Sequence, residues 1–117
     1  MPLPFISDLY GRSFEHFIGM ELRAYTSYAR TRDPIQFWRS THGYEVDYLV
    51  GGRVAIEVKA SRRASLRDAR GLVALKEEGT ARRFILVSEN PTAARSEGIE
   101  LLPWTTFLRN LWDGRIV

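Results

Sequence analysis

Three charged side chains interrupt an apolar stretch in the middle of the chain and could together support metal-dependent chemistry. They are Asp47, Glu57 and Lys59, within residues 43–59. Two carboxylates close together can bind Mg²⁺ or Mn²⁺ and leave coordination sites for water and phosphate. Such an ion polarises a phosphodiester and lowers the pKa of bound water. A lysine beside it could orient the attacking water or offset charge on the phosphorus centre.

Apolar and charged residues alternate on both sides of two glycines, which predicts a β-hairpin with one buried face. The apolar residues are Val46, Tyr48, Val50, Val54, Ile56 and Val58. A two-residue turn at the glycines would place Val46 opposite Glu57 and bury a carboxylate without a partner. A connection of three residues, Gly51 to Arg53, or an equivalent bulge avoids this cost, and glycines suit its positive φ angles.

The three-residue connection determines which side chains share a face. It places Val50 opposite Val54 and Asp47 opposite Glu57, so all six apolar side chains point to one side. The charged residues then share the other side: Glu45, Asp47, Glu57 and Lys59. The backbone carbonyl of Val58 could act as another metal ligand. A solvent-exposed, salt-bridged face would show the same alternation, and the spacing alone leaves that alternative open.

Two more acids lie on a predicted first helix. Residues 14–29 carry apolar side chains at three- and four-residue spacing after a capping Ser13, and residues 1–12 are predicted to be an irregular or partly helical lead-in. Glu21 projects toward the middle of the apolar stripe, and Glu15 lies at its border. An acid in such a position needs a partner or a metal. Each could therefore contribute to the site, or pair with an arginine.

The remaining patterns predict a mixed α/β fold with a central sheet flanked by helices. A helix capped by Ser65 ends near Gly79, and a loop is expected from Ser88 to Gly98. Besides the hairpin, we predict strands at residues 35–39, 82–87 and 99–102, and a final helix from Thr105 or Thr106. The order α-β-β-β-α-β-β-α requires at least one parallel strand pair. We expect one domain over residues 1–117.

Composition narrows the class of protein. The net charge is +3, and all but two of the 17 basic residues are arginine, whose planar fork suits phosphate. Coding bias in a GC-rich genome would give the same composition. Arg62, Arg63 and Lys76 are candidates for contacts to a DNA backbone. Cysteine is absent, and we expect a cytoplasmic protein with no membrane span and no signal peptide.

The charged hairpin resembles the Asp…Glu-x-Lys motif of the PD-(D/E)xK nuclease superfamily, which includes restriction endonucleases and archaeal Holliday-junction resolvases. Asp47 and Glu57-Val58-Lys59 carry the motif, and the predicted elements are similar to that superfamily's α-β-β-β-α-β core. Further stretches look like a nuclease-like domain of unknown function at the C-terminus of many AAA-type P-loop ATPases. These are residues 37–48, 55–61 and 99–104 and the helix bearing Glu15 and Glu21. The resemblance covers about residues 11–117.

The resemblance implies a restriction-endonuclease-like fold with a short extra strand and a C-terminal helix, and a Mg²⁺ or Mn²⁺ cofactor. It assigns the metal site to Asp47 and Glu57, the catalytic lysine to Lys59 and the helix-borne acid to Glu15. Accessory positions would be Glu45, Glu21 and Ser61. The implied partners are DNA, a P-loop ATPase module and, since many nucleases of this fold are dimers, a second copy of the chain.

Two functions remain open from the sequence. The first is a Mg²⁺-dependent nuclease that hydrolyses DNA and leaves a 5′-phosphate. The second is a catalytically silent module that docks DNA or a partner ATPase and keeps the acidic site as a relic. Three aromatic residues could serve such an interface: Tyr10, Trp104 and Trp112.

Overall fold

A six-stranded mixed sheet carries helices on both faces in the computed structural model, which describes residues 3–117 and the side chains from residue 9 onward. The helices are α1 (Leu3–Tyr28), α2 (Arg70–Glu78) and α3 (Trp104–Trp112). A single 3₁₀ turn, Leu66–Ala69, leads into α2. The strands are β1 (Ile35–Arg39), β2 (Glu45–Val50), β3 (Val54–Val58), β4 (Arg83–Ser88), β5 (Ala94–Ser96) and β6 (Ile99–Pro103).

The strands are ordered β1-β2-β3-β4-β6-β5 across the sheet. Strands β1, β2 and β3 pair antiparallel, whereas β3, β4 and β6 are parallel and β5 closes the edge antiparallel to β6. Helix α2 connects β3 to β4, as a crossover between parallel strands requires. The predicted parallel pair is therefore confirmed, and the carboxyl ends of β3 and β4 meet at one edge of the sheet.

Each face of the sheet has its own apolar core. Helices α1 and α3 cover one face, with Ile18, Leu22 and Phe107 fully buried there. Helix α2 covers the other face, where Leu72 and Leu75 are fully buried. Strand β4 contributes to both cores, which explains its continuous apolar sequence.

Helix α2 ends at the predicted Gly79, but it begins at Arg70, later than predicted, because a 3₁₀ turn follows Ser65. The Ser65 N–H donates to the Asp68 carboxylate at 3.0 Å across the 3₁₀ turn. Gly79 adopts a left-handed conformation, with φ of 75°, and its N–H donates to the Lys76 carbonyl. In the described part of the chain, none of the helices is long and apolar enough to span a membrane.

Two further predicted segments differ from the structure. Helix α1 begins at Leu3, so the lead-in over residues 1–12 is helical from that point and Ser13 lies inside the helix rather than at its cap. Proline is tolerated in a first turn because its missing N–H would have no helical partner there, and Pro4 therefore does not stop the helix. The predicted loop before Gly98 contains β5, joined to β6 by a turn in which Glu97 and Gly98 have φ of 51° and 80°.

Candidate functional site

The hairpin of β2 and β3 has the predicted three-residue connection. Tyr48 pairs with Ile56, and Val50 pairs with Val54. The Arg53 N–H donates to the Val50 carbonyl at 3.0 Å to close the turn. The glycines between them have φ of 59° and 69°, which other residues adopt only with strain.

A β-bulge interrupts β2 at the functional residues. On the β1 side, Gln36 pairs with Leu49 and Trp38 pairs with Val46, so one residue of β1 faces two residues of β2. Those two residues are Asp47 and Tyr48. A bulge of this kind adds one residue to a strand and redirects the side chains on either side of it.

The bulge corrects one prediction about the hairpin. Val46 is fully buried in the core beneath α2, whereas Val50 and Ile56 are buried in the core beneath α1 and α3. The six apolar residues therefore do not share one face, because the extra residue reverses the alternation between Val46 and Tyr48. The charged residues nearby lie at the rim where the two strands separate.

Asp47 and Glu57 are interlocked through the backbone of the opposite strand. The Val58 N–H donates to Asp47 Oδ2 at 2.8 Å, and the Asp47 N–H donates to Glu57 Oε1 at 3.1 Å. The regular backbone pairing of β2 with β3 ends at Tyr48 and Ile56, and these two side-chain bonds connect the strands beyond that point. In the described part of the chain, the second oxygen of each carboxylate accepts no hydrogen bond.

Burial and like charge make the ionised form of this pair unfavourable. Burial raises the pKa of Asp47 to about 6, although the Val58 N–H works against this shift and nearby Glu15 and Glu45 add to it. Burial raises the pKa of Glu57 to about 8, and the Asp47 charge adds further. The charges of Glu15 and Glu45 thus add to the negative potential at the carboxylate pair.

Helix α1 holds Glu15 near the carboxylate pair by packing tightly against Tyr48. The Tyr48 hydroxyl donates to the Glu15 carbonyl at 3.3 Å, and burial raises the pKa of Tyr48 to about 12. An alanine Cβ at Gly19 would lie 2.1 Å from the Tyr48 hydroxyl oxygen. The absence of a side chain at Gly19 is therefore what lets α1 approach the bulge.

Helix α2 supports the bulge from the opposite face. An alanine Cβ at Gly71 would lie 1.8 Å from the Glu45 carbonyl oxygen and 2.8 Å from its carbon. Gly71 is buried in the first turn of α2. The contact is between backbones, so neither partner can rotate away.

Lys59 lies just beyond the end of β3 and is exposed. Its N–H donates to the Val87 carbonyl at 2.9 Å, so the extended backbone continues past Val58. Side chains two residues apart in an extended strand point to the same side, which places Lys59 on the side of Glu57. Among the described residues, no ion pair joins Lys59 to a carboxylate.

Two predicted residues lie away from the carboxylate pair. Glu21 accepts a hydrogen bond from the Trp112 indole nitrogen at 3.1 Å, so its partner is α3. Lys76 donates to the Glu97 carbonyl at 2.6 Å near the C-terminus of α2. Because α2 runs back across the sheet, this end is opposite to the one where β3 ends.

The basic loop after Lys59 is fixed against the end of β4. The Ser61 carbonyl accepts from the Glu89 N–H at 2.9 Å, and the Ser61 hydroxyl accepts from the Arg63 N–H at 3.0 Å. The Asn90 side chain makes two 2.8 Å hydrogen bonds with the backbone of Ala64. Arg62 and Arg63 are exposed on this fixed loop, close to the carboxylate pair. Glu45, at the start of β2, is also exposed.

Sequence reasoning missed several residues at this edge. Tyr48 counted only as an apolar strand residue, and nothing in the alternating pattern indicated the bulge. Glu89 and Asn90 carried a weak signal, because polar residues directly after a buried parallel strand commonly face a site. Tyr10 was predicted only as an aromatic residue for an interface, and its contact with this edge was missed: its hydroxyl donates to Glu89 Oε2 at 2.5 Å.

The residues present fit a magnesium-type ion better than a closed metal cage. Within residues 9–117, no three His, Cys, Asp or Glu side chains converge closely enough to hold an ion. Mg²⁺ commonly uses only one or two carboxylates and keeps several waters. The two unbonded oxygens of Asp47 and Glu57 offer such a set. The Val58 carbonyl lies on the same side of its strand as the N–H that binds Asp47, so it could add a third ligand.

The fold and site define a mixed α/β domain with an acidic pair held in a bulged hairpin. A family model described as a domain of unknown function (DUF4143) matches residues 10–107, and the chain belongs to that family. The matched range includes every acid of the site. No curated protein and no solved structure matches the chain.

Proposed function

We propose that the chain is a metal-dependent phosphodiesterase domain that acts on DNA in the manner of an endonuclease. The observation that carries the proposal is the interlocked pair of Asp47 and Glu57. Each carboxylate has one oxygen bound to backbone and one that accepts no hydrogen bond from residues 9–117, and burial raises both pKa values. A divalent cation would relieve the repulsion between the two groups.

The arrangement of elements supports a PD-(D/E)xK fold. Helix α1 packs beside the sheet, three antiparallel strands follow, and α2 leads to the parallel strand β4. This order is similar to the α-β-β-β-α-β core of that superfamily. Strands β5 and β6 and helix α3 would be additions to it.

The residues would divide the chemistry among them. Asp47, Glu57 and the Val58 carbonyl would hold Mg²⁺ or Mn²⁺. When bound, the ion activates water and neutralises charge on the phosphate. Lys59 would orient the attacking water or stabilise the negative charge that develops on the phosphate oxygens.

Glu15 and the basic loop complete the proposed site. Glu15 lies near enough for its charge to raise the pKa of both Asp47 and Glu57, and it would accept a proton from the attacking water. Arg62 and Arg63 would contact the DNA backbone and position it without reading its sequence. Lys76, at the far end of α2, would contribute little to binding at this site.

Plasmid nicking in the presence of Mg²⁺ or Mn²⁺ tests the proposal. We expect the wild-type chain to nick supercoiled plasmid. The substitutions Glu57→Gln and Lys59→Ala should each lower the rate by about 100-fold or more, as loss of a charge-stabilising group typically does. Glu78→Gln, an exposed carboxylate change on α2, is the matched control and should leave the rate unchanged. Equal nicking by wild type and Glu57→Gln would contradict the proposal.

One observation favours a second candidate, a catalytically silent module that binds DNA or a partner ATPase. The exposed Lys59 makes no ion pair with the carboxylates in the described part of the chain. A module of this kind would bind the metal and DNA but would not nick plasmid. Metal-dependent thermal stabilisation without nicking would favour this candidate.

A further inference from the structure

A groove lined by aromatic side chains opens at the edge where β3 and β4 end. Tyr10, Phe14 and Phe17 of α1 line one side of it, and Trp104 and Glu89 line the other. It encloses a cavity of about 270 Å³. The Phe17 ring stands edge-on to the Trp104 ring, with centroids 6.0 Å apart. Phe17 and Tyr10 are 42% and 51% exposed, so the aromatic surface is accessible.

A second, basic cavity adjoins the groove at Trp104. This second cavity has a volume of about 450 Å³ and shares Trp104 and Glu89 with the first. Arg62 and Arg63 line it. The groove, taken as these two adjoining cavities, therefore has an aromatic end and a cationic end. This combination suits a ligand with planar rings and negative charge.

The groove is close to the carboxylate pair and is rigid where it carries charge. Arg62 follows Lys59 by three residues, so their Cα atoms are at most about 11 Å apart. The Asn90 amide clamps the backbone of Ala64 on the loop that carries the arginines. A loop that is already ordered loses less entropy when a ligand binds.

We propose that this groove binds an unpaired nucleotide of single-stranded DNA beside the phosphodiesterase site. The inference rests on the proposed function and adds to it the class of substrate. A base would stack on Tyr10 or Trp104, while Arg62 and Arg63 would contact the neighbouring phosphates. Bases in a duplex are already stacked and cannot enter such a groove, so an unpaired strand is preferred.

Glu89 gives the groove a polar group that only accepts hydrogen bonds. Its Oε2 atom already accepts from the Tyr10 hydroxyl. Its other oxygen can accept from the exocyclic amino group of a base, as carboxylates do with N4 of cytosine. An oligo-deoxycytidine strand is therefore a suitable probe.

Binding in EDTA tests the groove independently of the metal site. Fluorescence anisotropy would compare a labelled oligo-deoxycytidine strand with a duplex of the same length at low salt. We expect the single strand to bind about tenfold more tightly than the duplex. Tyr10→Ser should weaken binding of the single strand by about tenfold, which is typical for loss of one stacked base. Tyr10→Phe keeps the ring and should bind as the wild type does.

A charge-matched pair of variants tests the cationic end. The double substitution of Arg62 and Arg63 by alanine should weaken binding by about tenfold or more. The control replaces two other exposed arginines by alanine. Arg82 directly precedes β4, and Arg95 lies on the edge strand β5. This control changes the net charge equally and should cost much less affinity. Equal losses in the two double variants, or equal binding of Tyr10→Ser and Tyr10→Phe, would overturn the inference.

The same assay separates this inference from the proposed function. Glu57→Gln should retain binding of the single strand in EDTA even though nicking is expected to be lost. If the wild type does not nick but binds single strands through the groove, the substrate inference stands and the catalytic proposal fails. If the wild type nicks and the duplex binds as tightly as the single strand, the catalytic proposal stands and the groove inference fails.

Discussion

Replacing Gly71 by alanine is expected to destabilise the domain by about 3 kcal/mol, the upper end of the usual cost of overpacking, since the backbone atoms it meets cannot rotate away. The new Cβ would lie 1.8 Å from the Glu45 carbonyl oxygen. Either α2 must move away from β2, or the start of β2 must shift and disturb the bulge at Asp47. Urea unfolding of the variant and the wild type measures the cost.

Gly11→Ala is the matched control for this prediction. Gly11 also lies within a helix, but an alanine Cβ there would meet no atom of the described side chains, residues 9–117, within 4 Å. Alanine in a helix interior is favoured over glycine by up to about 1 kcal/mol, so Gly11→Ala should be neutral or stabilising. Gly19→Ala should destabilise, but less than Gly71→Ala, because the Tyr48 ring can rotate. If Gly71→Ala is as stable as Gly11→Ala, α2 does not hold the bulge.

The second large effect is a gain of stability at pH 8 when Glu57 is replaced by glutamine in metal-free protein. The folded chain favours the protonated form of Glu57, with a pKa of about 8, and of Asp47, with a pKa of about 6. A carboxyl group with a raised pKa stabilises the fold fully only below its unfolded pKa. That stability is lost as the pH rises through the folded value.

The wild type should therefore lose stability between about pH 4 and about pH 8, the interval set by the unfolded and folded pKa values. Glutamine keeps an oxygen that can accept from the Asp47 N–H and removes the charge. We expect Glu57→Gln to be more stable than the wild type at pH 8, on the order of 2–4 kcal/mol, in urea unfolding with EDTA.

Two comparisons make the pH prediction specific. Glu78→Gln removes an exposed carboxylate of α2 and should follow the wild-type profile. Adding Mg²⁺ at pH 8 should stabilise the wild type more than Glu57→Gln, because the ion binds only the folded chain. If the free energy of unfolding of the wild type rises from pH 4 to pH 8, ionising the pair does not destabilise the fold. A Glu57→Gln profile parallel to that of the wild type would lead to the same conclusion.

The hairpin was predictable because two constraints agree within it. The glycines permit a turn with positive φ, and burial of a carboxylate excludes the alternative register at Val46 and Glu57. The helical segment and its end at Gly79 were predictable because their signals, Ser65 with Asp68 and the closing glycine, are local, although the first turn is 3₁₀ rather than α. Both predictions needed only residues close together in sequence.

The bulge was not predictable, because its determinants are distant in sequence. Val46, Asp47 and Tyr48 alternate as a regular strand would. The extra residue becomes apparent only in the pairing of β1 with β2, next to the close contact between Gly71 of α2 and the Glu45 backbone. The position of Glu21 was missed for a similar reason, since its partner Trp112 is 91 residues away. Contacts of this kind depend on how the helices pack on the sheet.

The strand β5 was missed because its sequence lacks a strand signal. Ala94, Arg95 and Ser96 carry neither β-branched nor aromatic side chains, and Ala94 and Arg95 are exposed. Pairing with β6 determines their conformation.

The same edge places Lys76 far from the basic loop, because its ammonium group donates to the Glu97 carbonyl in the turn after β5.

The central claim is that Asp47 and Glu57 bind a divalent cation. Anomalous diffraction from crystals of the wild-type chain soaked in Mn²⁺, at a pH near 8, tests it most directly. We predict one peak that contacts the two carboxylate oxygens that now accept no hydrogen bond, and no peak there in Glu57→Gln crystals. Manganese density elsewhere on the chain with none between Asp47 and Glu57 would contradict the claim.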